Sequence, residues 1–242
     1  YTWEWNYHAN GEYDPNDTTT YWPERHPLLG WYKGDDPVVL DWQSYWLREY
    51  GVEGVIVQTR YLENWDQPSN KEYWIYQLFN NAKNFKKLKY ALMIQSRWFD
   101  RNKDKVEDTR LELRNGWKSA IERTYLDPAH DNVYCMEFNG KKYPVIMLFE
   151  EGQISGMCDA YNGAEDAIKF LKEFAKIFQD KGYGGFVLFS RFMDGRLEPY
   201  NDELKEAGII RYKATYEHSN STGDTYQKRV DSFAVAGRKD EI

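Results

Sequence analysis

Short apolar, β-branched runs alternate along this chain with helix-patterned segments, and that alternation restricts the fold more than any other feature. The first clear unit opens at Asp36, an N-cap residue, with Pro37 at the first helical position. Val38, Val39, Trp42, Tyr45 and Trp46 then recur at three-to-four spacing, Gly51 can end the helix, and Gly54-Val55-Ile56-Val57 reads as a buried strand. A second unit follows: Ser69 and Glu72 at capping-box spacing, an apolar stripe of Ile75, Leu78, Phe79 and Ala82, then the strand Lys89 to Ile94. A polar helix over 103–123 carries Leu113, Trp117 and Ile121 as its inner stripe. Val133 to Phe138, the Asn139-Gly140 turn and Lys141 to Phe149 read as a hairpin, whose second arm is apolar enough to be a central strand. The helix over 163–181 presents Ile168, Leu171, Phe174, Ala175 and Phe178 on one face, and strands at 185–189 and 209–214 complete the pattern.

Continuous apolar strands alternating with amphipathic helices imply an α/β fold with a parallel sheet covered by helices. Two closures compete, an eight-stranded (β/α)8 barrel of the TIM type and an open doubly wound sheet. No GxGxxG or GxxxxGK loop follows any strand, which removes the usual phosphate cradle of the open sheet. Strands end instead in polar or aromatic groups: Gln58-Thr59-Arg60, Gln95-Ser96-Arg97-Trp98, Glu150-Glu151, Ser190-Arg191-Phe192 and Tyr216-Glu217-His218. In a barrel such ends converge on one mouth, where active sites lie, so the barrel is the expectation. Counting an opening strand over Trp3 to His8, the sequence yields about six strands where a full barrel has eight. Either further strands follow residue 216, or the barrel is incomplete or truncated after about six. With no linker or repeat in view, residues 1–242 read as a single domain.

Composition narrows the functional classes. The net charge of −7 and the short basic cluster Lys86-Lys87-Leu88-Lys89 argue against nucleic acid. No run approaches the roughly 18 apolar residues of a membrane span. Four histidines (His8, His26, His130 and His218) show no HxH or HxxxH pairing, so neither metal nor cofactor is expected. Cys135 and Cys158 are too few for a disulfide scaffold; two buried free thiols or a single bridge stay open. Aromatic residues reach 17%, with 10 Trp and 20 Tyr, several in polar company as in Tyr1 to His8. Flat rings with a wettable edge suit sugar faces, and equally suit an ordinary core.

The runs His26-Pro27-Leu28-Leu29-Gly30-Trp31-Tyr32, Asp36 to Gln43 and Tyr50 to Val57 resemble glycoside hydrolase families 71 and 99 and their WbsX-like relatives. Those are (β/α)8 barrels typified by endo-acting α-mannosidases and α-glucanases. The resemblance implies a secreted or periplasmic glycoside hydrolase acting on a glycan or polysaccharide. It departs at the acids: where relatives end the second strand in Asp-Trp-Tyr and the third in a carboxylate motif, this chain has Gln58-Thr59-Arg60 and Gln95-Ser96-Arg97. An amide can bond a sugar hydroxyl but does not move protons near neutral pH. The remaining candidate acids are Glu151, Glu150, Asp194 and Glu217; only one of the consecutive pair 150–151 can face the lumen, and Glu151, which begins the loop, is the better placed. Candidate ligand contacts are Trp5, Tyr7, His8, His26, Gln58, Arg60, Gln95, Arg97, Trp98, Arg191 and Tyr216, with Trp3 and Trp31 beside them. Arg60, Arg97 and Arg191 would make either a positive mouth suited to an acidic or sulfated glycan, or a set of ion pairs with nearby acids. The second functional reading is a barrel that has lost its acids and only binds a glycan or a protein.

Overall fold

The computed structural model describes residues 33–59, 62, 64–70, 72–94, 106–150, 164–192 and 197–213, without the side chains of 106–113, 149, 150, 191, 192 and 213. Helix α1 spans Pro37–Glu49 and begins as its sequence predicts, Asp36 Oδ1 accepting from the Val38 N–H at 2.9 Å. It ends at Gly51, whose φ of +79° is left-handed. Strand β1 (Gly54–Thr59) follows, then α2 (Tyr73–Asn81), β2 (Lys89–Ile94) and α3 (Val106–Arg123). The hairpin β3 (Cys135–Phe138) and β4 (Lys141–Glu150) turns at Asn139 and Gly140, both with positive φ. The remaining elements are α4 (Glu165–Gln179), β5 (Phe186–Phe192), the short α5 (Asn201–Glu206) and β6 (Ile209–Lys213).

The strands form one sheet in the order β1-β2-β4-β5-β6, every adjacent pair parallel, with β3 antiparallel on β4 alone. Among the described strands the order never reverses, so they hold no switch point of the doubly wound kind. Side-chain alternation then separates two faces. Val57, Tyr90, Leu92, Ile94, Ile146, Leu148, Phe186, Leu188 and Ile209 join the helices in one large core, with Leu40 of α1, Ile75 and Phe79 of α2, Trp117 and Ile121 of α3, Phe174 and Phe178 of α4 and Leu204 of α5. The opposite face has its own small core of Ala91, Val145 and Val187, extended by Met147, Phe189, Ile210 and, below the sheet, by Met136, Phe138 and Tyr143 of the hairpin. Among the described residues no helical one belongs to it. Helices on one face of a sequentially ordered parallel sheet are the wall of a (β/α) barrel, and the described residues supply five parallel strands of it.

Two local expectations are corrected. Ser69 does not cap α2: that helix starts at Tyr73 with Glu72 at the N-cap position, making no side-chain cap bond. The Val38–Trp42 side of α1 faces outward, 64% and 48% exposed, while Val39, Leu40 and Ser44 are buried. The aromatic spacing marked the helix correctly but not its inner face. Cys135 is a free thiol, half-buried rather than buried, and Cys158 lies outside the described residues.

The lower half of the sheet is spliced by a non-strand segment. Asn132 O accepts from the Tyr90 N–H, Tyr90 O from Tyr134 N–H, and Tyr134 O from Val145 N–H, so residues 132–134 stand between β2 and β4. Direct β2–β4 pairing is confined to Leu92 with Ile146 and Met93 with Met147. At the fork the Tyr125 hydroxyl accepts from the Leu92 N–H (2.7 Å) and donates to Val145 O (2.6 Å), replacing the missing ladder partners. Asn132 is held in turn by its amide, which donates to Phe85 O and Leu88 O.

Candidate functional site

The helix-free face carries one continuous register row near the C-terminal ends of the strands. Gln58 pairs with Met93, Met93 with Met147, Met147 with Phe189, and Phe189 with Tyr212. In a barrel wall this row lies beneath the mouth. Gln58 is exposed, the two methionines and Phe189 are half-buried, and Tyr212 is 37% exposed. The Phe189 and Tyr212 rings stack at 5.2 Å with an interplanar angle of 21°, making a flat two-ring shelf at one end of the row. None of the five side chains is a carboxylate or an imidazole. The row can therefore hold a ligand by ring contact and by the Gln58 amide, while proton transfer would have to come from groups beyond the strand ends.

Of the residues singled out by sequence, Gln58 belongs to this row. Glu150 is the last residue of β4, in register with Phe192, and holds the strand positions of Ile146 and Leu148 rather than those of Met147. Arg191 follows Phe189 by two residues in β5. Glu151, Asp194, Glu217, Trp3, Trp5, Tyr7, His8, His26, Trp31, Arg60, Gln95, Arg97, Trp98 and Tyr216 lie outside the described residues. Sequence reasoning passed over Met93, Met147, Phe189 and Tyr212; the first three sit in continuous apolar runs, which do not mark the alternate positions that face away from the helices.

It also read Glu72 only as part of a helix cap. Its Oε1 accepts from the hydroxyl of Thr59 at 2.7 Å, tying the end of β1 to the start of α2 on the helix side. Asn70 Oδ1 accepts from the Glu72 N–H at 2.8 Å.

Perturbed titratable groups often mark active sites, but among the described residues they mark the core. Burial raises the phenols of Tyr90, Tyr125 and Tyr183 and the thiol of Cys135, and lowers the His130 imidazole. Tyr90, Tyr125, Tyr183 and Cys135 pack in or against the helix-side core, and the His130 ring meets Phe79 of that core edge-on. The Tyr90 and Tyr125 hydroxyls are spent on backbone carbonyls. Among the described residues no group of three or more His, Cys, Asp or Glu could hold a metal ion, and no helix is long and apolar enough to cross a membrane.

Comparison with solved structures gives distant likenesses, among them the following. The chain is similar in structure to the GH99 endo-alpha-mannosidase from Bacteroides thetaiotaomicron, solved alone and in complex with BIS-TRIS-propane. Both matches have a TM-score of 0.41 and 16% identity; they cover 88% of this chain and 57% and 54% of those chains. The likeness is distant. This chain spans little more than half the length of the structures it resembles. No family model matches the sequence, and no curated protein matches it.

Proposed function

We propose that the chain is a carbohydrate-active barrel domain, residues 1–242, that cleaves glycosidic bonds in a glycan or polysaccharide outside the cytoplasm. The row ending in the Phe189–Tyr212 shelf carries this reading. An uncharged strip with a stacked aromatic pair at one end and an amide at the other suits the apolar face and hydroxyl edge of a sugar ring. Hydrolysis needs two carboxyl groups, about 5–5.5 Å apart for retention or 6.5–9.5 Å for inversion. Since the row offers none, the acid and base come from Glu151, Asp194 and Glu217, with Glu151 favoured over Glu150 by strand alternation. Gln58 supports a second reading, a glycan-binding barrel without chemistry, because an amide stands where the resembled families place an acid.

A glycan array on the wild-type chain, run beside a reducing-end release assay on each bound glycan, separates the two. Release that is abolished in Glu151→Gln supports the hydrolase. Binding without release supports the binder, and failure to bind any glycan refutes both.

A further inference from the structure

The N-cap position of a helix normally directs its side chain to the helix's own first N–H groups. Glu72 holds that position on α2 and makes no such bond. Its carboxylate instead takes the Thr59 hydroxyl. Thr59 is the last residue of β1, 2% exposed, and its neighbour Gln58 is exposed on the opposite, helix-free face. In the described sheet β1 is an outer strand, paired with β2 alone, with Gln58 opposite Met93 and Thr59 opposite Ile94. Among the described residues that strand end has one ladder to hold it, and the charge-assisted bond at its last residue is a further tie.

We propose that the Thr59–Glu72 pair is a positioning device for the ligand-facing row: by locking the end of β1 to α2 it fixes where the Gln58 amide points. The inference rests on the row being the ligand floor. Thr59 and Glu72 touch no ligand themselves and act through Gln58. The helix thereby forgoes a side-chain cap at its own start and gains a fixed strand end on the side of the sheet where barrels place their sites.

The test removes the hydroxyl at constant shape, Thr59→Val, and restores it in Thr59→Ser. The first readout needs no ligand: the side-chain amide signals of Gln58 in a 15N–1H spectrum, assigned by their loss in Gln58→Ala. They are expected to move towards free-chain values in Thr59→Val and to return in Thr59→Ser. The second readout is affinity for a panel of neutral and sulfated hexose oligosaccharides. A loss of about tenfold in Thr59→Val, recovered in Thr59→Ser, is what one loosened hydrogen-bonding group costs. If Thr59→Val does not fold, Glu72→Ala breaks the same bond from its half-buried end. Unmoved Gln58 signals overturn the positioning role whatever binds. If the Gln58 signals respond as expected in the variants but the wild type binds nothing in the panel, the reading of the row as a glycan floor is overturned instead, and the site role with it.

Discussion

Tyr125→Phe isolates the element that lets this sheet fork. The phenyl ring keeps its contacts with Tyr90 (centroids 5.6 Å) and Phe178 (5.7 Å), so the perturbation is the loss of one oxygen. That oxygen serves two buried backbone groups at once, the Leu92 N–H and the Val145 C=O. Each would be stranded at the lower limit of the direct β2–β4 pairing, where the Tyr125 hydroxyl stands between the Leu92 N–H and the Val145 C=O. A buried backbone group left without a partner costs about 1–3 kcal/mol, so the pair predicts a loss of about 2–6 kcal/mol. For a chain of this size each kcal/mol corresponds to roughly 2–4 °C in Tm, placing the shift at about 4 °C or more. Burial raises the phenol far above its usual range, so the hydroxyl keeps its proton and donates across the accessible pH range. Urea unfolding followed by far-UV circular dichroism measures the loss, with Tyr134→Phe, an exposed tyrosine on the neighbouring segment, as control. A loss below about 1 kcal/mol would refute the reasoning, because it would mean that water or strand closure satisfies both groups without the side chain.

Two further outcomes follow from the backbone and from burial. Gly185 has a φ of +135°, and a Cβ there would lie 1.9 Å from Gly208 O, so Gly185→Ala is expected to abolish soluble expression; Gly182 (φ +91°, open space around it) should tolerate alanine at about 1–2 kcal/mol, read by the same unfolding assay. His130, 2% exposed and 3.8 Å from Asp127 Oδ2, is held below its ordinary value by burial, so the unfolded chain takes up its proton first as pH falls. Its contribution is fully present above about pH 6.5 and declines below it, by at most about 1.4 kcal/mol per pH unit, until the folded imidazole protonates too. Denaturant midpoints between pH 7 and 5 should therefore fall more steeply in the wild type than in His130→Gln, and parallel slopes would overturn this.

Elements whose signal is local were legible in the sequence. Asp36-Pro37 starts α1, Asn139-Gly140 turns the hairpin, and the stripe Ile168, Leu171, Phe174, Ala175 and Phe178 is buried throughout α4. The strand over Lys89–Ile94 has the bounds its apolar run suggested. What depended on long-range choice was not legible. Trp42 and Trp46 sit at helical spacing on α1, yet Trp42 is exposed because the core reaches that helix through Val39 and Leu40. Ser69 and Glu72 have the spacing of a capping box, but the Thr59 hydroxyl, thirteen residues away, competes for the carboxylate. The fork at Tyr125 has no sequence signature, since it depends on where residues 132–134 insert.

Register decides which residues of neighbouring strands share a face. Gln58, Glu150 and Arg191, candidates taken near the ends of described strands, need not share a face. Alternation makes them share one only if the strands end in phase, and phase is set by register. The register links Gln58 to Met93, Met147, Phe189 and Tyr212, one row of five, while Glu150 falls on the positions between. Gln58 thus stands on the helix-free face of the described sheet, and Glu150 at the positions of the helix-side core. The five residues of the helix-free row are uncharged, so under the proposed hydrolase reading the proton donor comes from the segments that follow the strands. Glu151, one residue past the end of β4, is the first candidate for that reason, rather than for its neighbour's sake.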